Sequence, residues 1–117
     1  GICLGHQALA LRAGGSVFRG PERRDRDEIE PVEDHPLLAG IAAPVVMRED
    51  HCEGVSVPEG FRVVARSDHY DNEMMVSKDG LRIGVQFHPE ASGEPGETLF
   101  RNFVAFVRET GGGVWRP

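Results

Sequence analysis

The chain reads Gly1-Ile2-Cys3-Leu4-Gly5-His6-Gln7 at its start and Gln86-Phe87-His88-Pro89-Glu90 far downstream. A thiol, an imidazole and a carboxylate in that order are the groups that acyl transfer through a covalent intermediate needs: Cys3 as nucleophile, His88 as general acid and base, Glu90 as the group that orients the imidazole. G-x-C-x-G is the thiol counterpart of the nucleophile elbow, where a sharp strand-to-helix turn lifts the reactive atom out of the sheet. Side chains beside such a turn are expected to collide with strand and helix, which favours glycine at Gly1 and Gly5. A helix starting after Cys3 places unpaired N–H groups at the sulfur. Those groups are expected to favour the thiolate, and the Leu4 amide is expected to serve as an oxyanion donor.

Downstream, the run Leu81 to Phe87 has strand character and Pro89 ends it, so His88 belongs at a strand exit. Glu90, two residues on, stays on the same side of an extended chain and can hold the imidazole through Nδ1–H.

Taken together, GICLGHQ and GVQFHPE resemble the two signatures of class I (triad-type) glutamine amidotransferases, and the resemblance runs over the whole chain. It implies that Cys3 attacks the side-chain amide of glutamine, that a γ-glutamyl thioester forms, and that ammonia passes to a synthase domain or subunit. By the same resemblance Cys3, His88 and Glu90 carry the triad, while Gln7 and the Leu4 amide touch the glutamine substrate. The implied fold is α/β and flavodoxin-like: a mostly parallel sheet with flanking helices and a small antiparallel section.

The stretch from Met47 to Val55, followed by Pro58-Glu59-Gly60-Phe61 and Ala65-Arg66-Ser67-Asp68, is similar to the amidotransferase part of GMP synthases. Cys52 and Glu53 stand where that group has the Gly and Asp of its His-Gly-Asp motif. Two other readings share these residues, a γ-glutamyl hydrolase-like thiol hydrolase and a non-catalytic binding module.

Residue 1 is already the elbow glycine and not a methionine. The reading is therefore a fragment, with residues 1–110 as a partial amidotransferase domain and 111–117 as a flexible tail, inactive without the strands and oxyanion loop that the family places before the nucleophile. A net charge of −6 and a pI near 5.3 argue against nucleic-acid or anionic-membrane surfaces. No apolar run approaches the ~20 residues of a membrane helix. A reduced Cys3 fits a cytoplasmic setting, and Cys52 reads as a spectator. The histidines have neither i, i+4 pairing nor Cys-x-x-Cys company, so the sequence predicts no metal and no cofactor.

Around these residues the sequence predicts a helix over 4–13 with Leu4, Ala8 and Leu11 on one stripe, and a short strand over 16–19. It then predicts a charged loop over 20–27, a strand over 28–33 and a one-turn helix over 35–40. Strands over 44–47, 61–65, 74–77 and 81–87 follow, with a polar turn at 49–55 and a tight turn at Lys78-Asp79-Gly80. A last helix over 97–109 puts Leu99, Phe100, Phe103, Val104 and Val107 on a core-facing stripe.

Overall fold

The computed structural model describes residues 1–111. Glycines, prolines and short apolar runs divide the chain into helix α1 (Leu4–Arg12), strands β1 (Val17–Arg23), β2 (Arg26–Pro31), β3 (Val45–Arg48), β4 (His51–Val55), β5 (Phe61–Arg66), β6 (Met74–Ser77) and β7 (Ile83–Val85), and helix α2 (Glu94–Glu109). Single 3-10 turns occupy Pro36–Leu38 and Pro89–Ala91, each opened by its proline. The tail assigned to 111–117 lies, beyond Gly111, outside the described residues.

Two sheets result: a ribbon of β1 with β4, and a five-stranded sheet in the order β3-β2-β5-β6-β7, with each of these pairings antiparallel. The α/β class holds, and the antiparallel section is the larger part of these residues. The reason is connection length, since neighbours joined by turns such as Lys78-Asp79-Gly80 have no room for the dozen or more residues of a parallel crossover. Among the described residues the parallel pairing is a single bridge, Ile2 with Val85.

Three sequence expectations change. The charged stretch 20–27 is not a loop: Gly20 to Arg23 extends β1 and Arg26-Asp27 opens β2. Its charges are paired across the turn, Arg23 with Asp27 and Arg24 with Asp50 at 2.7 Å, so they line a ribbon instead of a solvated excursion. The polar turn at 49–55 is largely strand β4, whose polar residues pair with β1 across a register shift. β7 is shorter than the predicted 81–87 strand, and α2 starts at Glu94, one turn before the predicted boundary.

One apolar cluster joins Ile29, Val45, Met47, Val64, Met74, Val76, Val85 and Phe87 of the five-stranded sheet to Leu37, Leu38 and Leu99; a smaller one holds Ala10, Val55 and Met75. Both helices depart from their predicted stripes. In α1 the buried residues are His6, Gln7 and Ala10, while Leu4 is 75% and Leu11 56% exposed. The elbow fixes that rotation, because the Cys3 N–H is tied to Val85 O at 2.8 Å and His6 is pressed against Gly84. In α2 Leu99 is buried, but Phe100, Phe103 and Val104 remain on the surface. The helix rests on β3 and the two 3-10 turns, a seat narrower than its apolar stripe, and Asn102 clamps it there by donating to Leu37 O and Ala39 O.

Candidate active site

Cys3 is the junction between the Ile2–Val85 bridge and α1, and its backbone has φ 49° and ψ −101°. Non-glycine residues rarely occupy positive φ, and holding one there costs about 1–3 kcal/mol that the surroundings must supply. The supply is visible: Cys3 N–H donates to Val85 O, Gly5 N–H to Ile2 O at 2.8 Å, and Gln7 N–H to Cys3 O at 3.0 Å. This is the nucleophile elbow that the G-x-C-x-G spacing predicts. A Cβ at Gly1 would lie 2.4 Å from Gly5 O, so glycine is required there. At Gly5 a Cβ would meet nothing within 4 Å, and the predicted collision at that position does not exist.

The expectation of a depressed thiol is also overturned. Burial raises the Cys3 pKa most, and the charges of Glu49 and Asp50 add to the rise; the Leu4 amide and Gln86 pull the other way without prevailing. A neutral thiol at rest must lose its proton to a base during attack, which makes the position of His88 decisive.

β7 passes beside the elbow and runs on to that histidine. Gln86 points its amide at the thiol, Nε2 to Sγ 3.7 Å. His88 is two residues further on, and in an extended chain residues i and i+2 leave on the same side, while the intervening Phe87 is fully buried in the core. The His88 backbone is pinned on both flanks. Its N–H donates to Arg48 O at 2.8 Å, its carbonyl accepts from Ser92 Oγ at 2.6 Å, and Arg48 N–H donates to the same Ser92 hydroxyl at 2.8 Å.

Glu90 reaches His88 from a 3-10 turn rather than from an extended segment. Proline at position 89 starts that turn, and it folds the carboxylate back to 2.6 Å between Oε2 and His88 Nδ1. A carboxylate only accepts, so Nδ1 carries the hydrogen and Nε2 is left as the base. His88 is partly exposed and Glu90 about half exposed, at the lip of an open depression shared with Arg48 and Asp50.

Gln7 lies on the buried face of α1. Cys52 sits apart from this arrangement, with Sγ donating to Glu53 Oε1 at 3.2 Å; that carboxylate and partial burial raise its pKa.

The sequence reading missed Gln86, whose place beside the thiol follows from the Ile2–Val85 bridge and from no motif. It also missed a buried polar cluster behind the site. His51 Nε2 lies 3.0 Å from Glu49 Oε1, and Ser67 Oγ donates to Glu73 Oε2 at 2.7 Å. The Glu73 carbonyl accepts the Gln86 N–H at 2.8 Å, joining the cluster to the wall that carries the thiol.

Comparison with known proteins agrees with this geometry. The family model "Glutamine amidotransferase class-I" matches residues 1–106. The glutamine-hydrolysing subunit of GMP synthase from Haloquadratum walsbyi is 46% identical over 109 residues, covering 90% of this chain and 59% of that protein. Among solved structures, a Thermoplasma acidophilum protein described as a GMP synthase subunit superposes with TM-score 0.82 at 27% identity, over 94% of this chain and 58% of that one. A glutamine amidotransferase from Thermotoga maritima superposes with TM-score 0.72 at 27% identity, over 94% and 48%. The chain thus spans less than two thirds of the length of these relatives. With the elbow formed at Cys3 and the family model covering nearly its whole length, the chain belongs to the class I glutamine amidotransferases.

Proposed function

We propose that these residues form the glutamine-hydrolysing part of a GMP synthase-type amidotransferase, acting within a polypeptide that also supplies the rest of the relatives' length. Cys3 attacks the side-chain amide carbon of glutamine as its proton moves to His88 Nε2. The Leu4 N–H stabilises the tetrahedral oxyanion; His88 then returns the proton to the leaving nitrogen, and ammonia departs. Water, deprotonated by the same imidazole, cleaves the γ-glutamyl thioester to glutamate. Glu90 holds the tautomer throughout, and Gln7 contacts the bound glutamine. The ammonia is delivered to a synthase partner domain or subunit, in a cytoplasmic setting.

The observation that carries this reading is the Cys3 backbone, strained at φ 49° at the head of α1 and tied to the strand that leads to His88. The names of the similar proteins favour the GMP synthase branch over a hydrolase with water as its sole acceptor. The test pairs the complete polypeptide with a synthase partner and compares Cys3→Ala with the unchanged protein. Glutamine-dependent amination should vanish in the variant, and free ammonium should restore product in both. A Cys3→Ala protein that still hydrolyses glutamine refutes the assignment; glutaminase activity indifferent to every synthase partner supports the hydrolase.

A further inference from the structure

Behind the elbow, three groups from separate segments converge: Glu49 from the β3–β4 connection, His51 from β4 and Glu73 from the entry to β6. One carboxylate oxygen from each glutamate and one imidazole nitrogen lie within 4.8 Å of one another. All three side chains are nearly or wholly excluded from solvent, the two glutamates at 0% exposure and His51 at 3%.

Two further observations separate this group from an ordinary acidic cluster. First, hydrogen bonds leave ligand atoms unused: Glu49 Oε2 and Glu73 Oε1 are buried without a partner. An unpartnered buried carboxylate oxygen carries its full desolvation penalty, so such atoms call for an explanation. Second, the His51 tautomer is fixed by its outer contact. Nδ1 lies 2.8 Å from Glu53 O, which can only accept, so Nδ1 carries the hydrogen and the Nε2 lone pair faces the carboxylates. A backbone carbonyl on one ring nitrogen and an inward lone pair on the other is the arrangement that orients metal-binding histidines. The Ser67 hydroxyl holds the Glu73 carboxylate in the same supporting way.

We propose that Glu49, His51 and Glu73 bind a divalent first-row cation, zinc or manganese. Two carboxylates and one neutral imidazole balance a dication to zero net charge, which a dry interior favours, and a mixed oxygen and nitrogen donor set suits these ions. Without a cation, burial pushes Glu49 up to about 7 and Glu73 up to about 9, which measures how poorly the site tolerates two uncompensated charges. Arg23, whose positive charge reaches Glu49, is already paired with Asp27. The ion would tie the β3–β4 connection to β6 and, through Glu73 O and Gln86, brace the wall beside Cys3. The proposal does not depend on the glutaminase reading.

The test uses the complete, tag-free polypeptide, stripped with chelator and titrated separately with Zn²⁺ and Mn²⁺. One of them should bind at about one equivalent per chain and raise the melting temperature with concentration. X-ray absorption should show an oxygen and nitrogen shell without sulfur. Glu73→Gln and His51→Ala should weaken binding at least ~10-fold, while Glu33→Gln, remote from the cluster, leaves it unchanged.

Failure of both ions to saturate a single site overturns the proposal and assigns the pair to a shared proton. A sulfur-containing shell overturns it in favour of the cysteines. Glu73→Gln that binds as tightly as the unchanged protein also overturns it. Should that variant not fold, stoichiometry and X-ray absorption on the unchanged protein decide.

Discussion

The thiol edge and the buried polar cluster lie back to back, joined by the Gln86-to-Glu73 backbone hydrogen bond, and they are built on opposite plans. At the edge, function is encoded locally. Cys3 sits between glycines at fixed spacing, and Glu90 lies two residues from the imidazole it orients, so a short window of sequence defines each piece. In the cluster, Glu49, His51, Ser67 and Glu73 come from four points of the chain, and only the fold of the antiparallel sheet assembles them. The edge is partly open to solvent and tolerates charge; the cluster is dry, and every donor and acceptor there must be matched. Motif-bearing chemistry is therefore visible before the fold, whereas chemistry that depends on desolvation is visible only after it.

The largest predicted contrast lies within the edge. His88→Ala should reduce glutamine turnover about 10³-fold or more, because it removes the base poised for a thiol whose pKa is raised, whereas Glu90→Gln should leave measurable residual turnover. Steady-state kinetics on the complete polypeptide checks the order. Equal losses would mean that Glu90 does more than orient.

Next is a pH effect at the boundary between the two regions. His6 is fully buried, and desolvation lowers its pKa from 6.5 to about 4. A folded-state pKa below the unfolded one means that the unfolded chain binds the proton first. His6 therefore leaves stability intact above pH 6.5 and reduces it as pH falls from 6.5 to about 4, by about 3 kcal/mol in all. Urea unfolding at pH 7 and pH 4.5 should show the unchanged protein losing most of that amount relative to His6→Gln. The difference between the two proteins also removes the opposing contribution of Glu49 and Glu73, whose raised pKa values favour the folded state toward acid.

A smaller effect belongs to the cluster. Ser67→Ala removes the hydroxyl that donates to Glu73 and accepts from the Tyr70 N–H at 3.1 Å, and it should cost about 1–3 kcal/mol in denaturant unfolding while changing turnover little. A neutral result would show that the cluster tolerates an unmatched group and is wetter than its burial indicates.

Legibility in the sequence followed the same division. The elbow, the strand exit at His88, the tight turn at Lys78-Asp79-Gly80 and the β6 boundaries were readable because each depends on neighbouring residues. The stripes of α1 and α2 were not. Leu4 and Leu11 satisfy helical periodicity, yet the hydrogen bonds of the elbow turn them outward and bury His6 and Gln7. Residues 20–27 read as loop because their charges look solvated, and only the Arg23–Asp27 and Arg24–Asp50 pairs explain why they form strand. The thiol's raised pKa was likewise hidden, since burial of Cys3 and the charge of Glu49 are tertiary facts that outweigh the helix terminus.

The most direct measurement is to treat the complete polypeptide with a glutamine-analogue electrophile and locate the adduct by peptide mass spectrometry. Cys3 should carry the label in near-stoichiometric yield, glutamine should protect it, and Cys52 should remain free. Labelling of Cys52 in preference to Cys3, or equal labelling of both without protection by glutamine, would contradict the assignment of Cys3 as the nucleophile.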